Sequence, residues 1–353
     1  MNSHPKYIYI LFFCSFFFYG LLSTACSQDI QLTQYYAAPL YANPGYTGID
    51  EGTRITANYR NQWYQLPVNY VTHMASFDHR FRDKPISLGL LLKNDLIGPN
   101  ADLPIYQNSV HFSVAYLLKV SKKIYINSSI QGGVIQSTLN YANFVFGDQI
   151  DNLGNMNGTA EALNRERIFQ PDISFGSILY SDQWWLGAAF MHLNAPRYSF
   201  LGEQIALPLK VDLQAGYVIP FEYNKRRGYL PTLDNKTLTV TLQYKFQGAS
   251  DQLSLGVYGY ANSFMLGLWY RGLPIKENSD LVFNQDALAL LTGYRYKNLQ
   301  IGYSYDIALS NLPLDKASSH EISLSITFNE PKPYREKPPK RIKVNTKCPR
   351  PFL

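Results

Sequence analysis

Cysteine is almost missing from this chain, and so is any second long apolar run. There are three cysteines in 353 residues. Cys14 and Cys26 fall within the first 27 residues, so only Cys348 remains beyond them and no intramolecular disulfide framework can form. After the stretch Tyr7–Leu22 nothing is apolar for long enough to be a membrane helix. If the rest of the chain crosses a membrane, it must do so with strands. Catalytic signatures are lacking too: there is no G-x-S-x-G, no Walker loop and no dinucleotide fingerprint. His73 and His79 share one strand pattern but stand about 20 Å apart at the usual rise, too far to share a metal. His192 and Asn194 near a strand end would need a serine on a neighbouring strand to form a lipase-like triad, an arrangement defined by geometry rather than sequence. No enzyme activity, cofactor or metal is expected.

What is present begins with an export signal. Lys6 precedes the apolar run, and Ala25-Cys26-Ser27 fits a signal-peptidase site that leaves Gln28 as the mature N-terminus. Lipoprotein processing at Cys26 is the rival, but Ser23 stands where that site prefers leucine.

From Gly52 to Asn329 polar and apolar residues alternate, strand after strand. In His320–Phe328, Ile322, Leu324, Ile326 and Phe328 point one way and Ser323, Ser325 and Thr327 the other. Fourteen such strands can be drawn, most close to the 9–11 residues a tilted strand needs to cross a bilayer. Two of them are drawn over 172–180 and 183–194, separated from the preceding strand by a long loop, Asn140–Pro171. An even count, with short turns on one side and longer loops on the other, is the outer-membrane pattern, which two connections break: Phe221–Thr237 is long where a turn is expected and Ala249-Ser250 short where a loop is expected. A secreted β-sandwich would alternate as well. The strand number, the signal and the scarcity of charge within the strands favour the barrel. The fold class is therefore all-β: a transmembrane antiparallel β-barrel of about 14 strands, with an N-terminal plug or periplasmic segment and a basic C-terminal tail. The units are a signal (1–27), an ordered N-terminal segment (28–51), the barrel (52–329) and the tail (330–353). Both termini are placed in the periplasm.

Composition agrees. Aromatics make up 15% of the residues, with 28 Tyr, which suits interfacial girdles in contact with outer-membrane lipid. The net charge of +6 belongs to the Pro- and Lys-rich tail, where eight basic residues face two acidic ones. In an exported chain that tail reads as a solvated extension or docking peptide, not as a nucleic-acid binder. Residues 28–51 are too rich in Pro and Gly for a strand and too aromatic for a free linker. They read as a segment packed in or below the barrel.

At this point the chain resembles a known family. Gln34…Pro39-Leu40-Tyr41…Asn43-Pro44…Gly48 is similar to the start of the PorP/SprF family, as is Asn58-Tyr59-Arg60-Asn61-Gln62-Trp63. So are Ser76-Phe77-Asp78, the run Phe144–Asp151, and Cys348-Pro349. Gly45-Tyr46-Thr47 departs from the Ala-Phe-Ala of many members. The resemblance implies an outer-membrane barrel of the type IX secretion and gliding machinery of Bacteroidetes. Its implied partners are a large secreted surface adhesin, or translocon and periplasmic motor-ring proteins. It transfers no catalytic residues. Tyr59, Arg60, Asn61, Gln62 and Trp63 at the outer end of the first strand are candidate partner contacts, because Arg and Trp are enriched at binding hot spots. Asp148 and Asp151 in the longest loop are further candidates, without the spacing of an EF-hand. Arg341 and Cys348 in the tail complete the set. The alternative function is a passive pore or a FadL-like hydrophobic-solute transporter with an N-terminal plug, since a barrel this wide must be filled or conduct.

Overall fold

The computed structural model describes the chain from Asp29 to Phe328, apart from residues 67, 83, 100–103, 140–166, 198–205, 221–235, 249, 262, 278–282 and 310–316. Fourteen strands follow one another: β1 Gly52–Gln62, β2 Tyr70–Arg80, β3 Ile86–Ile97, β4 Ile105–Lys119, β5 Tyr125–Leu139, β6 Arg167–Tyr180, β7 Trp184–Met191, β8 Lys210–Pro220, β9 Thr237–Gln247, β10 Ser250–Ala261, β11 Phe264–Glu277, β12 Phe283–Tyr296, β13 Leu299–Ala308 and β14 Ser319–Phe328. Each pairs antiparallel with its sequence neighbours, and β1 pairs with β14 to close the barrel. Closure leaves no free sheet edge, which is what a strand-built membrane protein requires.

The alternation sorts the side chains. On β14, Ile322 and Leu324 are exposed while Glu321, Ser323 and Ser325 are buried. On β9, Val240, Leu242 and Phe246 are exposed while Thr239, Thr241 and Gln243 are buried. This is a soluble protein turned inside out: the apolar face meets lipid and the polar face meets the lumen.

Several strand ends differ from expectation, among them those of β6 and β7. β6 begins at Arg167 rather than 172 and contains Pro171. Proline has no amide to donate, yet it is tolerated because Pro171 is paired with Val134 of β5 while β7 ends before reaching it. β7 stops at Met191, short of 194, because His192 and Ala195 take positive φ values of 62° and 43° and turn the chain. The Asn194 side chain then occupies the vacated pairing position. Its Oδ1 accepts the amide of Ile173 at 3.1 Å, and its Nδ2 donates to the Pro171 carbonyl at 2.6 Å.

Residues 29–51 lie inside the barrel. Two single-turn 3-10 segments, Tyr35–Ala37 and Pro44–Tyr46, flank one helical turn, Pro39–Ala42. Leu40, Tyr46 and Ile49 are almost completely buried against the lumen wall. The wall is cut away to admit them. A Cβ at Gly176 would lie 2.1 Å from Asn43 Oδ1, and Gly48 holds a φ of +60° beside Ser87.

Both termini lie outside the described residues, and the first and last described residues stand at opposite ends. Asp29 lies beside Lys210 and Gln247, at the end of the barrel where β8 starts and β9 stops. The β14 residue Phe328 pairs with Thr53, at the opposite end. The physical reason is that the N-terminal segment runs the length of the lumen before entering β1.

An arginine on the lipid face should cost about 2–4 kcal/mol near the bilayer midplane. Leu324→Arg is therefore expected to lower the urea midpoint of the barrel refolded in liposomes, whereas Ser325→Thr, one residue away but facing the lumen beside a small cavity, should leave it nearly unchanged.

Candidate functional site

The densest polar chemistry in the protein is the lock between the plug and the wall. Arg60 on β1 and Glu321 on β14 are direct cross-strand partners. Their side chains enter the lumen and pair at 3.0 Å, while the other arm of Arg60 meets Asp306 of β13 at 2.7 Å. Glu321 also accepts the backbone amides of Thr33 and Gln34 at 2.8 and 3.0 Å. The Thr33 hydroxyl uses its full capacity, donating to Asp306 and accepting from Arg60 and from Arg271 of β11. Gln34 is held on both sides of its amide: Nε2 donates to Ser304 and to the Glu321 carbonyl, and Oε1 accepts from Ser323. Arg60, Asp306 and Glu321 are all at most 2% exposed. Charges so far from water persist only when paired and hydrogen-bonded, as these are.

A second clamp holds the inner end. Asn43 Oδ1 caps the following turn by accepting the Gly45 amide at 2.8 Å. Asn127 of β5 donates to the carbonyls of Gly45 and Thr47 at 2.7 and 2.9 Å. Asp78 of β2 accepts the Gly48 amide and pairs with Arg54, which in turn donates to the Tyr46 carbonyl. Between the clamps, Tyr35 and Tyr36 pack edge-on against Trp269 and Tyr258.

The third contact is at the outer end. Asp29 Oδ2 meets Lys210 Nζ at 3.0 Å and His192 Nε2 at 2.9 Å. His192 Nδ1 meets Asp172 at 2.9 Å, and Asp172 also meets His111. An imidazole between two carboxylates donates from both nitrogens only when protonated. Burial alone would lower the pKa of His192, which lies just beyond β7. Asp29 and Asp172 outweigh burial and raise it to about 9. Burial likewise opposes ionisation of Asp29, but Lys210 and His192 hold its carboxyl well below the usual range.

The residues singled out from sequence do not form one site. Arg60 belongs to the lock and is turned away from any outside partner. Tyr59 faces the opposite way, against His73. Asn61 accepts from Asn69 at 3.1 Å. Gln62 is half-buried at the end of β1. Trp63 takes a φ of 59°, donates its amide to the Ser318 carbonyl and packs edge-on against Tyr70. Asp148, Asp151, Arg341 and Cys348 lie outside the described residues. Glu321 and Asp306 were not singled out, and Asp78 stood out only within the motif Ser76-Phe77-Asp78. The signal that would have found Glu321 and Asp78 is an ionisable residue at a lumen position of an otherwise Ser/Thr-rich strand, with an opposite charge at a lumen position of the adjoining one; the partners of Asp306, Arg60 and Arg271, stand on strands that do not adjoin β13. Among the described residues, no group of three His, Cys, Asp or Glu side chains could hold a metal, and no helix is long and apolar enough to cross a membrane.

Removing one member of a buried pair costs about 3–5 kcal/mol because its partner is left uncompensated. Arg60→Ala is expected to lose that much in unfolding experiments and to open the Thr33–Gly48 segment to protease, both read against Arg295→Ala, which lies outside the lock. The outer contact should be pH-dependent with a defined sign. Asp29, whose pKa is lowered, contributes stability above its unfolded pKa of about 4, and this is lost on further acidification. His192, whose pKa is raised, contributes fully below its unfolded value of about 6.5, and this is lost as pH rises through about 9. Exchange of the Asp29 amide should therefore show excess opening above about pH 9, removed in His192→Gln.

Comparison with known proteins bears on what such a barrel is. Among solved structures, the toluene transporter TodX of Pseudomonas putida is 10% identical over 83% of this chain and 94% of that one, with a TM-score of 0.47. A FadL homologue from Pseudomonas aeruginosa is 12% identical over 78% and 90% (TM-score 0.38), and CdiB from Acinetobacter baumannii is 7% identical over 79% and 60% (TM-score 0.42). No curated protein sequence matches. The family model described as type IX secretion system membrane protein PorP/SprF matches residues 25–326, the span that holds every plug and wall residue of the lock. This chain belongs to the PorP/SprF family of type IX secretion system membrane proteins and is an outer-membrane β-barrel.

Proposed function

We propose that this barrel is a sealed, non-enzymatic scaffold of type IX secretion. In this reading it binds an exported surface adhesin, or subunits of the translocon and motor ring, and supports export or surface attachment. The observation that carries the reading is the occupied lumen. Between the outer contact at Asp29 and the inner clamp at Gly48, charged and amide hydrogen bonds to six or more strands hold the plug. Among the described residues, one cavity beside it, lined by Tyr36, Pro39, Arg54 and Gln300, measures about 10 Å³, and another, lined by Asp29, Gln31, Lys210 and Lys245, about 30 Å³, room for one or two waters each. A conducting pore needs a continuous wet path, and a solute transporter needs a pocket for its solute. Family membership supplies the process, and the filled lumen directs binding to the two rims and the lipid-facing wall.

Two measurements test this. Purified protein in liposomes should not pass small sugars or aromatic hydrocarbons, while deletion of residues 29–48 should make the vesicles leaky. Affinity capture from a detergent extract should recover a large exported protein or secretion subunits in amounts comparable to the bait. Free solute passage through the intact barrel, with no such protein recovered, would establish the pore or transporter instead.

A further inference from the structure

The plug has a direction. Following the chain from Asp29, its contacts move steadily along the barrel. Asp29 meets Lys210 and His192, at the mouth where β8 begins and just beyond β7. Its backbone amide donates to Gln247, the last residue of β9, at 2.9 Å. Gln31 Oε1 accepts from Gln252 near the start of β10 at 2.8 Å. Thr33 and Gln34 reach the lock of Arg60, Asp306 and Glu321, and Asn43 to Gly48 reach Asn127 and Asp78 in the other half. Gly52 then starts β1 opposite Arg80, beside the β2–β3 turn. The mouth at Asp29 is bordered by the long connections between β5 and β6 and between β7 and β8, with a short turn between β9 and β10; at the other mouth every connection is short except that between β8 and β9. In outer-membrane barrels longer loops lie outside and short turns inside.

We infer that the processed N-terminus of this protein is displayed at the extracellular mouth of the barrel, latched there by Asp29, Lys210, His192 and Gln247. The segment is thus a thread running from the outside inward, not a hatch hung from the periplasmic side. One consequence is topological. The N-terminal signal must be cut off by proteolysis before or as β1 closes on β14, because an attached inner-membrane anchor would have to leave through the outer mouth. The displayed end also makes the N-terminal residues part of the surface that an extracellular partner would meet, a point that rests on the outer-membrane reading but not on the identity of the partner.

Single cysteines in a Cys348→Ser background test this in intact cells with a membrane-impermeant maleimide. Ile30→Cys is the probe, Ser250→Cys at the β9–β10 turn marks the outer rim, and Ser121→Cys at the β4–β5 turn marks the inner rim. Heat-modifiable migration on gels confirms that each variant has folded. The expected result is labelling of Ile30→Cys and Ser250→Cys without permeabilisation, and of Ser121→Cys only after it. If Ile30→Cys follows Ser121→Cys instead, the inference is overturned while the barrel orientation stands. If Ser121→Cys labels from outside and Ser250→Cys does not, the orientation itself is reversed and both readings fall. Adding Asp29→Ala should raise the Ile30→Cys labelling rate severalfold; an unchanged rate would remove Asp29 from the latch.

Discussion

One carboxylate ties this molecule together. Glu321 faces Arg60 across the β1–β14 seam and at the same time accepts two backbone amides of the plug. Inside a barrel neither the charge nor the amides have bulk water to fall back on, so each needs the others. Closing the seam brings Arg60 to Glu321, and that ion pair completes the cradle for Thr33 and Gln34. Since the plug leads straight into β1, barrel closure and plug binding become a single event. Asp306 and Arg271 extend the same network over the neighbouring strands.

The architecture was largely legible in the sequence because it rests on a period of two. Ile322, Leu324, Thr239 and Thr241 show their faces by alternation alone, and fourteen repeats of that pattern leave few folds open. Strand ends were less legible for local reasons. Pro171 reads as a strand breaker until one knows that β7 stops beneath it. His192 reads as a strand residue until its positive φ is seen. The site was only half legible. Gln34, Asn43, Gly48, Arg60 and Asp78 stand out as motif residues, yet nothing in their spacing says that they meet one another. Arg60 suits a binding hot spot by residue type. Its burial follows from a segment that threads the barrel, and no local pattern encodes a segment's direction through a lumen.

In the sealed reading proposed above, the lumen wall is a packing surface for the plug. Wall positions that would face water in a porin here carry Gln, Ser, Thr and Asn aimed at plug carbonyls and amides, as with Asn127 on Gly45 and Thr47. Glycine at 176 gives the plug backbone room to approach. Tyr35 and Tyr36 fill what remains against Trp269 and Tyr258. Hydrophobic packing, neutral amides and buried ion pairs follow one another along one short segment, and each matches the wall it passes. What is left for other molecules is the outside: two rims and a greasy cylinder.

That cylinder is irregular above the end of β7. There β6 runs on past its neighbour, and a naked run of amides and carbonyls is an invitation for a stray strand to zip onto it. Pro171 offers no amide on that side, and Asn194 fills the adjoining bonds with its own side chain. In a membrane crowded with other barrels, these two residues act as a selvage: the weave ends there without fraying, and neighbouring sheets cannot be stitched to it by accident.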